Sequence, residues 1–482
     1  MPNPGASLAW GNAMALDSKH PHYVDFSPFW EKLRDCYKGE DQIKAKGVLY
    51  LPPTPGQLID GMEPGGRGLK NYEAYKMRAV FPPYIEEAVN EMFGVMHQKP
   101  PVIELPPALE PLRERATMDG EPLLLLLRRI NEAQLITGRI GLMLDLPASP
   151  GSSAIPYVAT YESENIVNWD DGARGLPALQ TLNLVVLNET EAERTTEFEW
   201  QEVEKYRVLT LGDADANEAA GLYQQGVFRK QTAFDPSQMM TPQVRGSGLN
   251  QIPFVFINAT DLLPTPMLPP LTKLANLALA IYRGEADYRL NLFMQAQDTL
   301  VVIGGDEEGE YRVGAGASIN VGIGGDAKFI GVNSSGLPEQ REALQNDHTR
   351  AGSMAGQLLD TVSRMKESGA ALQTRVAAQT VTLHQIALTG AEGLQKCLRV
   401  AAEWIGADPN AVKVVPNTDF VGAKMTPGDY LQLANAKAAG LPLSDKSIHA
   451  RLKKDEYTVE DFEAEQELLA EERANVLDDV QQ

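Results

Sequence analysis

The chain has 482 residues, 43% of them apolar, enough for about two to four ordinary domains or one elongated body with a large core. Lysine and arginine total 43 against 65 aspartates and glutamates, a net charge of −22, which argues against tight nucleic-acid binding by phosphate neutralisation. Contact with DNA that is not held stays open, because acidic walls repel phosphate and keep a polyanion moving. Cys36 and Cys397 lie far apart without metal-like partners, so no disulfide framework is expected. The first twenty residues lack a basic region followed by an apolar core, and the longest apolar run, "PLLLLLRRI", is too short to span a bilayer. The expectation is a soluble, intracellular chain with no membrane partner.

Residues 1–60 read as an irregular N-terminal arm with one short helix, "SPFWEKLRDCYKG", stopped at Gly39. "YLPPTPGQ" then interrupts regular structure with three prolines and a glycine. Residues 71–98 have helical patterning on both sides of Pro82 and Pro83, and "KPPVIELPPALEPL" is extended because each proline disfavours helix in the residue before it. A helix is predicted from about Gly120 to Thr137, followed by a buried strand in "GRIGLMLDLP". Between residues 155 and 260, "YVATYESENIVNW", "LQTLNLVVLNE", "EVEKYRVLTL", "LYQQGVFRK" and "IPFVFIN" are strand-like runs with polar or Gly-containing connections.

"DLLPTPMLPP" closes this sheet region with four prolines. A helix then runs from Leu271 to about Thr299 with an apolar seam of Leu271, Leu274, Ala278, Ile281, Tyr288 and Leu292. Glu285 interrupts that seam. An acid there is costly in a closed core and cheap if it faces another subunit or a channel. Residues 300–338 are short strands with ten glycines. Two long helical patterns follow, one carried by Leu344, His348, Ala351, Met354, Leu358, Val362 and Met365, the other by Leu372, Val376, Leu383, Ala387, Leu394, Leu398, Ala401 and Ile405. The second spans about 36 residues, or roughly 54 Å at helical rise. Between them lies the charged break "KESGAALQTRVA". Two further helices are predicted after Thr426 and Ser444, both plausible N-caps, and the segment from Thr458 onward is acidic.

Catalytic chemistry is missing from this pattern. "GAGASINVGIGG" lacks the Lys-Ser or Lys-Thr of a P-loop, and Asp306, Glu307, Glu308 and Glu310 beside it repel phosphate. His20 and His22 have no third ligand at zinc spacing, and neither G-x-S-x-G nor H-E-x-x-H occurs. No catalytic, metal or cofactor-binding residue is expected, and no cofactor. His348 and His384, within predicted helices, read as packing or interface residues.

Taken in order, residues 30–52, 71–106, 137–147, 271–305 and the C-terminal "AAGLPLSDKSIHARLKKDEYTVEDFEAE" resemble a family of tailed-bacteriophage portal proteins. The resemblance covers nearly the whole chain and rests on the ordered set of segments, since no single motif is diagnostic. It implies an α+β, elongated, portal-type subunit. Residues 61–269 would form a mixed α/β wing, 270–299 the first stem helix, 300–338 a small β-containing clip and 339–365 the second stem helix. Residues 366–371 would be a tunnel loop, 372–425 a long wing helix and connection, and 426–482 a helical crown.

The function so implied is a homo-oligomeric ring, of about twelve subunits, at one capsid vertex of a virion assembled in the host cytoplasm. Double-stranded DNA would pass through it during packaging and ejection. The other implied partners are a terminase packaging motor, the major capsid protein and scaffold, and a head–tail adaptor. Lys366, Glu367, Ser368 and Gly369 would face DNA; Arg283, Glu285, Asp287 and Arg289 would pair between neighbouring stems; Asp306, Glu307, Glu308 and Glu310 would serve docking at the clip. Another virion structural protein, a head–tail adaptor or minor capsid component, shares the acidity and the lack of motifs, and an enzyme with a family-specific site is the remaining alternative.

Overall fold

The computed structural model describes residues 16–147, 155–170, 182–212, 221–230, 234–244, 246–295, 299–304, 321, 323–330, 336–356, 369–418, 420, 427–454 and 457–470. The chain forms two compact units, Met1–Thr418 and Asp419–Gln482. The fold class is α+β, and among the described residues the strands pair antiparallel.

Helix α1 (Pro21–Lys38) starts earlier than its sequence pattern suggests. Pro21 suits the first helical position, and His20 Nδ1 accepts from the His22 amide at 3.1 Å. It ends at Gly39, whose φ of 86° continues the chain in a left-handed turn. Trp30, Leu33 and Cys36 on its inner face are fully buried. The segment read as an arm therefore contributes a helix to the core. Short α2 (Glu40–Lys46) and α3 (Pro55–Ile59) follow, the latter held by a reciprocal capping box between Thr54 and Gln57. Helices α4 (Arg67–Arg78) and α5 (Tyr84–Met96) flank the Pro82–Pro83 break as predicted.

After β1 (Val102–Glu104), α6 (Leu123–Ile136) leads into β2 (Arg139–Asp145). Every residue of β2 is buried, which is why residues 140–144 read as a continuous apolar run rather than an alternation. It is the central strand of a three-stranded sheet between β3 (Tyr157–Glu162) and β10 (Phe254–Asn258). A four-stranded sheet has the order β4 (Ile166–Asp170), β5 (Leu184–Asn188), β8 (Lys205–Leu211), β9 (Tyr223–Arg229). Between β5 and β8, β6 (Glu191–Arg194) and β7 (Trp200–Val203) form a separate hairpin.

One polar cluster joins the two larger sheets. Arg207 of β8 donates to Asp145 Oδ2 at 2.9 Å and to Glu189 Oε1 at 2.6 Å. Gln225 of β9 donates to Asp145 Oδ1 at 2.8 Å, and the Tyr157 hydroxyl donates to Asp145 Oδ2 at 3.1 Å. The paired carboxylates hold the Arg207 guanidinium charged, its pKa raised above the ordinary value despite burial. Each charge in the cluster has a counter-charge or hydrogen-bond partner, the condition under which burial of ions is tolerated.

Helix α7 (Thr272–Gln295) leaves the sheet region, the strands β11 (Thr299–Ile303) and β12 (Asp326–Ile330) pair as a hairpin, and α8 (Leu337–Gly356) returns along α7. Helix α9 (Gly369–Ile405) is 37 residues long. Its C-terminal half buries Leu383, Ala387, Leu394, Leu398, Ala401 and Ile405 against α6 and β10, the face that the periodicity predicts. Where α9 crosses β10, a Cβ at Gly393 would lie 2.4 Å from Ile257, so only glycine permits this approach. Strand β13 (Lys413–Val415) then pairs with β1, tying the end of the unit to a segment some three hundred residues earlier.

In the second unit, α10 (Pro427–Ala438) and α11 (Asp445–Lys454) are the two predicted helices. The Ser447 amide donates to Ser444 Oγ at 3.1 Å, so Ser444 is the N-cap expected of it. His449 is buried edge-on to Phe462 at 5.5 Å between ring centroids, and Tyr430 meets Tyr457 at 5.3 Å. These ring contacts provide the small core of the unit.

Candidate functional site

Among the described residues no group of three or more histidines, cysteines, aspartates or glutamates could hold a metal ion, and no helix is long and apolar enough to cross a membrane. The feature with a distinct geometry is the antiparallel pair α7 and α8, joined by the segment that contains the β11–β12 hairpin.

The N-terminal half of α7 is anchored in the first unit. Leu274, Ala275, Ala278, Ile281, Tyr282 and Ala286 are buried, and Lys32 of α1 donates to Asn276 Oδ1 at 2.7 Å. Close packing with α8 is permitted by Gly284, where a Cβ would meet Leu344 Cδ2 at 2.8 Å. Beyond Ala286 the seam departs from its sequence pattern. Leu292, predicted on the buried face, is 42% exposed, and Phe293 and Met294 beside it are also exposed. Arg78 covers the Phe293 ring at 3.8 Å, and Asn291 donates to Gln340 Oε1 of α8 at 3.0 Å. The far end of α7 thus carries apolar side chains that are partly exposed.

Of the four stem residues singled out, three are engaged within the chain. Arg289 Nε donates to Glu285 Oε2 at 2.7 Å, and His348 Nε2 of α8 lies 3.6 Å from Glu285 Oε1. The Tyr75 hydroxyl of α4 donates to Asp287 Oδ1 at 2.6 Å. Burial, with the hydrogen bond to Asp287, raises the Tyr75 pKa well above the usual tyrosine range. Arg283 is exposed and makes no ion pair with the described residues. An acid on the α7 seam is therefore accommodated by a basic residue one turn on and by a histidine on the facing helix. Glu285 and Arg289 stand four positions apart on α7, so helical spacing brings them together within one chain. Nothing in the sequence paired Glu285 with His348 or Asp287 with Tyr75, because those contacts depend on how α4 and α8 lie against α7.

Lys366, Glu367 and Ser368 of the expected tunnel loop lie outside the described residues, as do Asp306, Glu307, Glu308 and Glu310 of the expected clip docking site. Gly369 is the first residue of α9, so residues 369–371, expected in the loop, belong to the helix instead. Ala370, Ala371 and Leu372 are strong helix formers, which explains the earlier start.

A family model described as "Domain of unknown function (DUF4055)" matches residues 270–405, the stretch from α7 to the end of α9. No curated protein matches the chain. Similar solved structures include one described as "Neck of native GTA particle computed with C12 symmetry", with 14% identity, 77% of this chain and 89% of that chain covered, and a TM-score of 0.38. Another, "Virion of native gene transfer agent (GTA) particle", has 16% identity over 82% of this chain and 98% of that chain, with a TM-score of 0.39. A third, "Neck of empty GTA particle computed with C6 symmetry", has 16% identity over 77% and 90%, with a TM-score of 0.38. Similarity at this level is too low to carry a functional argument.

Proposed function

We propose that this chain is the subunit of a portal ring, the passage for double-stranded DNA at one vertex of a phage-type capsid. The observation that carries the reading is the order of elements over residues 270–405: a helix anchored at one end, a β-hairpin, an antiparallel return helix, and one 37-residue helix running back into the α/β core. This is the stem, clip, stem and wing-helix order that the sequence resemblance implies. Exposed Leu292 and Met294 at the far end of α7 suit burial against a neighbouring copy. The net charge of −22 suits a wall that DNA slides past rather than one that holds it.

In this reading Arg283, exposed and without an ion pair among the described residues, meets an acid on the next subunit, and residues 366–368 face the channel. Lys366 and Glu367, repeated around the ring, would make weak, salt-sensitive contacts with passing phosphates. Asp306, Glu307, Glu308 and Glu310 would serve the docking of a packaging motor and then a head–tail adaptor. The neck and virion descriptions of the similar structures agree in kind and add no weight at their scores.

Native mass spectrometry and negative-stain microscopy test the proposal. The expected result is a closed ring of about twelve chains with a central hole. A chain that stays monomeric across a wide concentration range would overturn it. A closed ring formed by Lys366→Glu with altered DNA packaging or retention would support the channel assignment.

A further inference from the structure

The second unit has a charge division that the channel reading does not use. Residues 427–454 carry five basic side chains against two acidic ones, whereas residues 455–482 carry eleven acids and one arginine. In a chain with a net charge of −22, α11 is an island of positive charge. Lys446 and Lys453, seven positions apart, lie on one stripe of that helix. Both ammonium groups hold carboxylates from the acidic segment: Lys446 Nζ donates to Glu463 Oε1 at 2.9 Å and Lys453 Nζ to Asp461 Oδ1 at 2.6 Å. Phe462 between these acids packs on His449 of α11, which sets the segment in register over the stripe. The lysines hold the pKa of both carboxylates below the ordinary value, so the acids are ionised at neutral pH.

We propose that the Lys446–Lys453 stripe is a binding site for the phosphate backbone of double-stranded DNA, and that the segment around Asp461 and Glu463 is its built-in competitor. The two carboxylates stand where phosphate oxygens would sit, each on one lysine. Ion pairs this exposed contribute little to stability, so the segment can be displaced by a polyanion of higher charge density. The free protein then shows little DNA affinity, and contact appears where DNA is concentrated. The inference stands on the second unit alone and does not depend on ring formation.

Fluorescence anisotropy with a labelled DNA duplex at low salt provides the test, using the full chain. Neutralising the competitor with Asp461→Asn, Glu463→Gln and Glu465→Gln keeps Phe462 and its contact with His449. This variant is expected to bind DNA at least about tenfold more tightly than the parent, with an affinity that falls as salt rises. Adding Lys446→Glu and Lys453→Glu should return it to the parental level. A chain truncated after Val459 serves as a second form of the released state and should behave like the neutralised variant. The proposal is overturned if neither released form gains affinity. It is equally overturned if the gain survives the two lysine reversals, since the stripe would then not be where DNA binds.

Discussion

The Tyr84 hydroxyl lies 2.7 Å from Nδ1 of His348, joining α5 to α8 across 264 positions of sequence. The opposite ring nitrogen, Nε2, lies 3.6 Å from Glu285 Oε1, so the ring stands between the tyrosine and the carboxylate. Arg289 completes the chain at Glu285. Four side chains from three helices therefore set where α8 lies along α7. Tyr84→Phe should cost about 1 kcal/mol, the net worth of an ordinary hydrogen bond. A double-mutant cycle of Tyr84→Phe with His348→Leu, read by urea unfolding, should give a coupling of about 0.5–3 kcal/mol. Additive single effects would show that the contact does not help to set the helix pair.

Two helical glycines should respond to alanine with opposite signs. Gly352 of α8 is exposed with open space around its Cα, so Gly352→Ala should stabilise the chain by about 0.5–1 kcal/mol through helix propensity. At Gly393 of α9 the new Cβ would meet Ile257 at 2.4 Å, and overpacking there should cost about 1–3 kcal/mol. Pairing Gly393→Ala with Ile257→Val, which removes one of the crowding methyls, should recover part of that loss. Thermal melts of the three variants check the signs directly.

The cluster around Asp145 predicts an asymmetry. Asp145→Ala leaves Arg207, largely buried, with Glu189 as its one carboxylate partner, and should cost about 3 kcal/mol. Asp145→Asn keeps the hydrogen-bonding shape and should cost less. Equal losses in denaturant titrations would mean that charge and shape cannot be separated at this position.

His97 supplies a pH dependence. Burial, with a smaller contribution from nearby Arg128, lowers its pKa from 6.5 to about 4. The folded protein keeps the imidazole neutral while the unfolded chain protonates it, so the unfolded state binds more protons between these values. Stability from this group is complete above pH 6.5, falls as the pH drops toward 4, and changes no further below that. His97→Gln should therefore flatten the decline of melting temperature over this window relative to the parent. A decline of unchanged steepness would locate the acid sensitivity elsewhere.

Local chemistry was enough to read the helices and strands that depend on it. The period of Leu383, Ala387, Leu394, Leu398 and Ile405 marked α9 and its buried face, the unbroken apolar run of residues 140–144 marked a buried strand, and Ser444 marked the start of α11. Each signal lies within one or two turns of the chain, so neighbouring residues alone determine it. Tertiary packing decided the rest. It drew Trp30 and Leu33 into the core from a segment that looked like an arm, and it bared Leu292 on a helix whose pattern predicted burial. It matched β1 to β13, brought His348 to Glu285, and laid Asp461 and Glu463 on the lysines of α11. These pairings depend on the relative placement of elements, which many side chains determine jointly and no short stretch of sequence encodes. The charge imbalance within residues 427–482 was visible from composition, but only the folded second unit shows which lysine holds which acid.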